Sequence, residues 1–184
     1  MEMTTPASRS LSGRPHDDEF AAYAKPDIDR VEGDDAVGVL TAQRRRTILL
    51  LESLDEDAVR GLTYAPGKWT LKEVVGHLAD DERIFSYRAL CIARGDARPL
   101  PSFDEKGYVQ SAGFEERPLA SLRTEYRAVR QATLALFAAL PAQAWLRRGV
   151  VGDYTASVRG LAFHVAGHEL RHVQALREKY LRRM

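Results

Sequence analysis

Three histidines, His164, His168 and His172, recur at every fourth position near the end of this chain. In an α-helix, residues four apart lie one turn apart on one face. Leu161, Val165 and Leu176 share the side of His168 and His172, so imidazoles sit on an otherwise apolar stripe. Such a stripe has to be covered by other elements. The last helix is therefore read from about Ser157 to the end of the sequence, facing into a helical bundle.

Three more helical segments supply the cover. Between about Asp35 and Leu54, the side chains of Val37, Leu40, Ile48, Leu51 and Leu54 fall near one stripe. LTYAPGKWT follows as a loop, broken by Pro66 and Gly67. Thr70-Leu71-Lys72-Glu73 then has the pattern of a capping box, in which the hydroxyl caps the Glu73 amide and the carboxylate reaches back. Trp69 and Val74 occupy the two hydrophobic-staple positions, and this helix runs to about Arg94, before Gly95. Another helix runs from about Leu119 to Leu140 and stops at Pro141. The linker ARGDARPLPSFDEKGYVQSAGFEERP reads as a long loop, and PAQAWLRRGVVGDYTAS as a short β-like excursion. Residues 1–33 are polar and read as a flexible N-terminal arm, with the helical bundle domain over 34–184. The expected fold is all-α, a four-helix bundle with a long loop between its second and third helices.

The histidine spacing limits what the last helix can bind. The outer pair of the three lies about 12 Å apart along the axis, whereas metal–nitrogen bonds are about 2 Å. One neighbouring pair can grip a single ion, and the third histidine must do something else. His77 lies on the capped helix with Val74, Asp81, Ile84 and Arg88 on its side, a stripe that predicts an inward-facing ring. Two inward histidine sets on two helices are what a three-histidine site needs. His16, in the polar arm, is incidental to this set.

HELRH, from His168 to His172, also matches the H-E-x-x-H signature of zinc proteases, where the glutamate is the general base. The surroundings argue against that chemistry. Twelve residues follow His172 and none is a histidine, so the distant third ligand is missing. No strand is evident to align a peptide. Glu169 points about 100° away from His168, toward a flank where it is either a solvated or salt-bridging acid or a group near the site.

Composition removes several other classes. The 184 residues suggest one domain, with 45% hydrophobic and 29% charged residues. A formal net charge of +1 gives no global attraction to nucleic acid. No apolar run approaches the roughly 20 residues of a membrane span, and the opening MEMTTPASRSLSGRPHDDEF lacks the apolar segment of a secretory signal. Cys91 is the only cysteine, which excludes an internal disulfide and fits a cytoplasmic protein. No reactive role is assigned to it.

Together these segments resemble the DinB/YfiT-like superfamily. WTLKEVVGHLADDERIFSYRAL is similar to that superfamily's W-t-…-H-l-a-d-…-r helix, and GHELRHVQALREKYL to its closing H-x-x-x-H helix. PSFDEKGYVQ resembles the intervening segment with its aromatic, Asp and Glu. The likeness covers roughly residues 35–180, in the expected order. It implies a four-helix bundle, often dimeric, with a divalent metal held by His77, His168 and His172. His164 and Glu169 would then lie behind the ligands or in the pocket wall. The metal would be zinc, nickel or iron, since imidazole suits each.

The superfamily includes transferases that use low-molecular-weight thiols, so the resemblance implies either a thiol S-transferase or a hydrolase acting on a small molecule. A cation on three neutral histidines can activate a thiol or a water. Asp81, one turn after His77, is expected to orient a ligand or accept a proton. Arg88 is expected to hold an anionic substrate group or to pair with Asp81 or Asp104. Asp104 and Glu105 are placed in a loop over the pocket, while Tyr87 and Trp145 are read as packing. The alternative is a non-catalytic, metal-stabilised binding protein linked to stress. The expected partners are a small-molecule substrate and a second copy of the chain, without nucleic acid or membrane.

Overall fold

The computed structural model describes residues 13–183. Four long helices form the bundle: α2 (Ala36–Glu52), α4 (Leu71–Ala93), α6 (Leu119–Ala138) and α7 (Val158–Ala175). Three short helices accompany them: α1 (Lys25–Ile28), α3 (Glu56–Val59) and α5 (Glu105–Ser111). Helix α4 packs against both α6 and α7, and α2 closes the other side against the same two. With neighbours on two sides, α4 is buried over most of its circumference.

The local signals account for the helix ends. Thr70 and Glu73 make the reciprocal capping box at the start of α4, and Trp69 packs beside the cluster that contains Val74. Asp35 and Ser157 cap α2 and α7 through their side chains. Beyond Ala175 the last helix widens into a π-helical turn over Leu176–Tyr180 and then tightens over Leu181–Arg183, so it does not continue as the regular helix the spacing predicts.

The expected excursion is a two-stranded antiparallel hairpin, β1 (Arg148–Val151) with β2 (Tyr154–Ser157), Val151 facing Tyr154. The connection from α4 to α6 is not one long loop. Leu100 bonds to the hairpin through Val150 and Gly152, α5 follows, and a 3-10 turn at Phe114–Glu116 leads into α6. Its glycines and prolines had masked these short elements.

Of the arm expected over 1–33, residues 1–12 lie outside the described residues. Residues 13–33 lie on the bundle. Phe20, Ala24, Ile28 and Val31, spaced by four, four and three, join the main core. This stretch crosses α7 closely: the Asp27 carbonyl occupies the space a Cβ at Gly167 would take. Its apolar residues are too few, among too many charges, to stand out in the sequence.

The buried apolar side chains form two clusters, one built around Leu40, Phe85, Phe137 and Phe163, the other around Leu51, Leu71, Leu122 and Leu176. Between them every long helix contributes buried polar groups at the same level: Gln43 and Thr47, then His77, Asp81 and Glu82, then Tyr126 and Arg130, then His168, Glu169 and His172. Each large aliphatic or phenylalanine side chain buried in the clusters is worth about 1.5–3 kcal/mol, whereas this polar layer has to satisfy itself.

Candidate functional site

Two faces of α4 divide the polar layer. On the α6 side, Arg130 makes a two-pronged contact with Glu82, 2.8 Å to each oxygen, and bonds the Leu40 carbonyl. Its Nη2 also lies 2.5 Å from Oε2 of Glu169. Oε1 of Glu169 accepts hydrogen bonds from Thr47 at 2.5 Å and Tyr126 at 2.6 Å. Burial raises the Tyr126 hydroxyl well above its ordinary pKa. For Arg130 burial works against the charge, and Glu169 and Glu82 outweigh it, so the guanidinium is held above its ordinary value. The glutamate of HELRH therefore belongs to a buried ionic network in which both of its oxygens are engaged.

On the α7 side the histidines converge. Nε2 of His77 and Nε2 of His168 lie 3.0 Å apart, and one ligand atom from each of His77, His168 and His172 falls within 4.8 Å of the others. All three rings are buried. Nε2 of His172 has no hydrogen-bond partner among the described residues. Burial first, then the neighbouring histidines and Arg171, pushes His168 well below its usual pKa. Burial lowers His77, and burial with the charge of Arg171 brings His172 down to about 2. Three neutral imidazoles with converging lone pairs are a fitting donor set for a divalent cation.

Asp81 and His164 stand behind this cluster. Oδ2 of Asp81 lies 3.4 Å from Nδ1 of His168 and 3.6 Å from Nε2 of His164. His164 stacks on Phe85 with ring centres 3.8 Å apart, and neither of its nitrogens has a hydrogen-bond partner among the described residues. Arg88 is buried, donates to the Pro101 carbonyl at 2.7 Å, and lies over the rings of Phe85 and Phe103. Among the described residues it pairs with neither Asp81 nor Asp104. Asp104 caps α5, and Glu105 follows it at the first helical position. Trp145 packs in the core beside Phe137, whereas Tyr87 is exposed. Cys91 is partly buried against the core, and His16 is exposed, away from the site.

Two cavities of about 590 Å³ each open beside the histidines. One reaches His172 and is walled by Trp69, Lys68, Lys106 and Lys179. The other reaches His164, His168 and Asp81 and is walled by Tyr23, Phe85, Arg88 and Tyr154. Glu105 and Arg171 border both. Four contributors escaped the sequence reading. Trp69 lies 4.7 Å from His77, ring centre to ring centre. Arg171 donates from Nε to both oxygens of Asp27 at 2.8 and 3.0 Å. Tyr23 packs edge-on to His164 at 6.3 Å. The aromatic, proline and acid of YAKPDID were the one available signal for Tyr23 and Asp27.

No described helix is long and apolar enough to cross a membrane. No curated protein matches the chain. Among solved structures, it is similar to YfiT from Bacillus subtilis, described as a probable metal-dependent hydrolase with an unusual four-helix bundle topology. The two share 18% identity over 94% of each chain, with a TM-score of 0.71, a likeness of fold. The sequence profile of the DinB superfamily matches residues 39–176, and the chain belongs to that superfamily.

Proposed function

We propose that this protein is a divalent-metal-dependent enzyme of the hydrolase type, with His77, His168 and His172 as the metal ligands. One observation carries the reading: imidazole nitrogens from α4 and α7 converge in a buried cluster, and one of them, Nε2 of His172, meets no hydrogen-bond partner among the described residues. A divalent cation there supplies Lewis acidity, which lowers the pKa of a bound water or thiol. The description of YfiT supports the hydrolytic side of this reading.

The chain's own residues do the rest. The Asp81 carboxylate, 3.4 Å from Nδ1 of His168, favours the tautomer that carries its proton on that nitrogen and turns the lone pair of Nε2 toward His77. His77 and His172 stay neutral through burial. Trp69 covers His77 and limits water on that side. His164, stacked on Phe85, offers a hydrogen-bond donor to a small substrate in the aromatic cavity. Glu169, held by Arg130, Tyr126 and Thr47, is not placed to act as the base of a zinc protease.

Elemental analysis tests the ligand set: about one ion per wild-type chain and strong loss in His77→Ala would support it, whereas unchanged metal in His77→Ala would overturn it. A panel of activated esters and amides, assayed with and without a low-molecular-weight thiol, then separates water from thiol as the nucleophile. Turnover only with thiol would replace the hydrolase by an S-transferase. Metal content without turnover of any kind would favour a binding protein. The homodimer belongs to the same proposal, resting on family resemblance, and light scattering reads it directly.

A further inference from the structure

The two cavities beside the histidines differ in charge. The wall of the one at His172 carries five cationic side chains, Arg30, Lys68, Lys106, Arg171 and Lys179, against Glu105 and Glu178. Some of these are occupied. Arg30 donates to Gln174, and Lys179 lies over the Tyr64 ring. The ammonium groups of Lys68 and Lys106 meet no acceptor among the described residues, and both are exposed. Arg171 is anchored at one end only: Nε holds Asp27, while its two Nη groups bond nothing among the described residues. Arg171 lines the cavity that reaches His172 and also the one that reaches His168.

The other cavity holds Arg88 and Arg171 against Asp27, Asp81, Glu105 and Asp153. With Arg171 set against Asp27 in both cavities, the His172 side keeps four cations against two acids and the Arg88 side one cation against three acids. An anion is therefore favoured at the His172 side and disfavoured at the Arg88 side.

We propose that the substrate carries a carboxylate or phosphate group that enters beside Lys68 and Lys106 and is held by the free Nη end of Arg171, next to His172. This rests on the metal-dependent reading above and names its substrate class as a small organic anion. It moves the anchoring role from Arg88, where the sequence had put it, to Arg171. A guanidinium with one edge fixed presents its other donors in a set direction, which suits the oxygens of either group. Lys68 and Lys106 act at longer range, raising the local concentration of anions at low salt.

The test is binding of two probes, inorganic phosphate and succinate, to metal-replete protein by calorimetry at low ionic strength. Metal content is measured in every sample. The proposal expects Arg171→Gln to weaken at least one probe about tenfold or more, as loss of a charged hydrogen-bonding group does. It expects Lys106→Glu, an exposed and unpaired position, to weaken the same probe severalfold, and Arg88→Gln to leave it within twofold. Preference between the probes distinguishes carboxylate from phosphate. Loss in Arg88→Gln with none in Arg171→Gln would overturn the proposal, as would absence of binding to a wild-type protein that holds its metal. Should Arg171→Gln fail to fold, Lys106→Glu and Lys68→Glu decide: unchanged affinity in both overturns it. A wild-type chain that binds the anion but no metal would defeat the metalloenzyme reading and leave this site standing.

Discussion

Oδ2 of Asp81 lies 3.4 Å from Nδ1 of His168, across the interface of α4 and α7. The carboxylate thus presses on the far side of a ring whose Nε2 faces His77. Asp81→Asn keeps the shape and removes the charge. Metal affinity should fall roughly 10–100-fold, the usual cost of losing a carboxylate behind a metal-binding histidine. Competition with a chromophoric chelator reads it. Unchanged affinity would show that Asp81 serves only its neighbour His164.

Removing the metal should loosen the whole bundle. Two helices meet at the histidines, and binding to the folded chain alone stabilises it by about 2.7 kcal/mol at one hundred times the dissociation constant. A chelator should lower the melting temperature, and added metal should restore it. In His77→Ala the melting temperature should no longer respond to either.

Glu169→Gln separates two readings of the HELRH stretch. A zinc-protease base would lose activity and leave stability intact. The network predicts the opposite order: Arg130 loses one of its two buried carboxylate partners. Breaking a buried pair costs about 3–5 kcal/mol, and chemical denaturation should show a loss of that order while metal content persists.

Acid should expose the role of Glu19. Burial raises its pKa, but hydrogen bonds from Arg159 and Ser157 prevail and bring it down to about 2 from an ordinary 4.5. A folded pKa below the unfolded one means stability that is present above pH 4.5 and lost as pH falls toward 2. Unfolding curves of wild type and Glu19→Gln should therefore differ at neutral pH and converge near pH 2.

Gly167→Ala tests the crossing of α1 over α7. Alanine gains about 1 kcal/mol in helix propensity, but its methyl meets the Asp27 backbone carbonyl, which cannot swing aside as a side chain can. Overpacking of this kind costs about 1–3 kcal/mol, so a net loss in melting temperature is expected.

Local rules made much of the fold readable. The Thr70–Glu73 box fixed the start of α4 because capping depends on four neighbouring residues. Period-four histidines on an apolar stripe pointed inward because a helix repeats with nearly that period. That Glu169 turns aside from His168 followed from rotation alone, but its partners Thr47, Tyr126 and Arg130 come from two other helices and left no trace in spacing. Arg171 carried no signal at all: it resembles any helix-surface arginine until Asp27 arrives from a distant segment. Residues 13–33 were hidden for the same reason, since a few apolar side chains among many charges declare themselves only once α7 is present to receive them.

Asp27 and Arg171 are separated by 144 positions. Closing so long a loop costs entropy that nearby contacts do not. The wall beside His172 is thus tied to a segment that lies before the bundle in the chain, and a change at Asp27 would release the Arg171 side chain without touching any of the three rings.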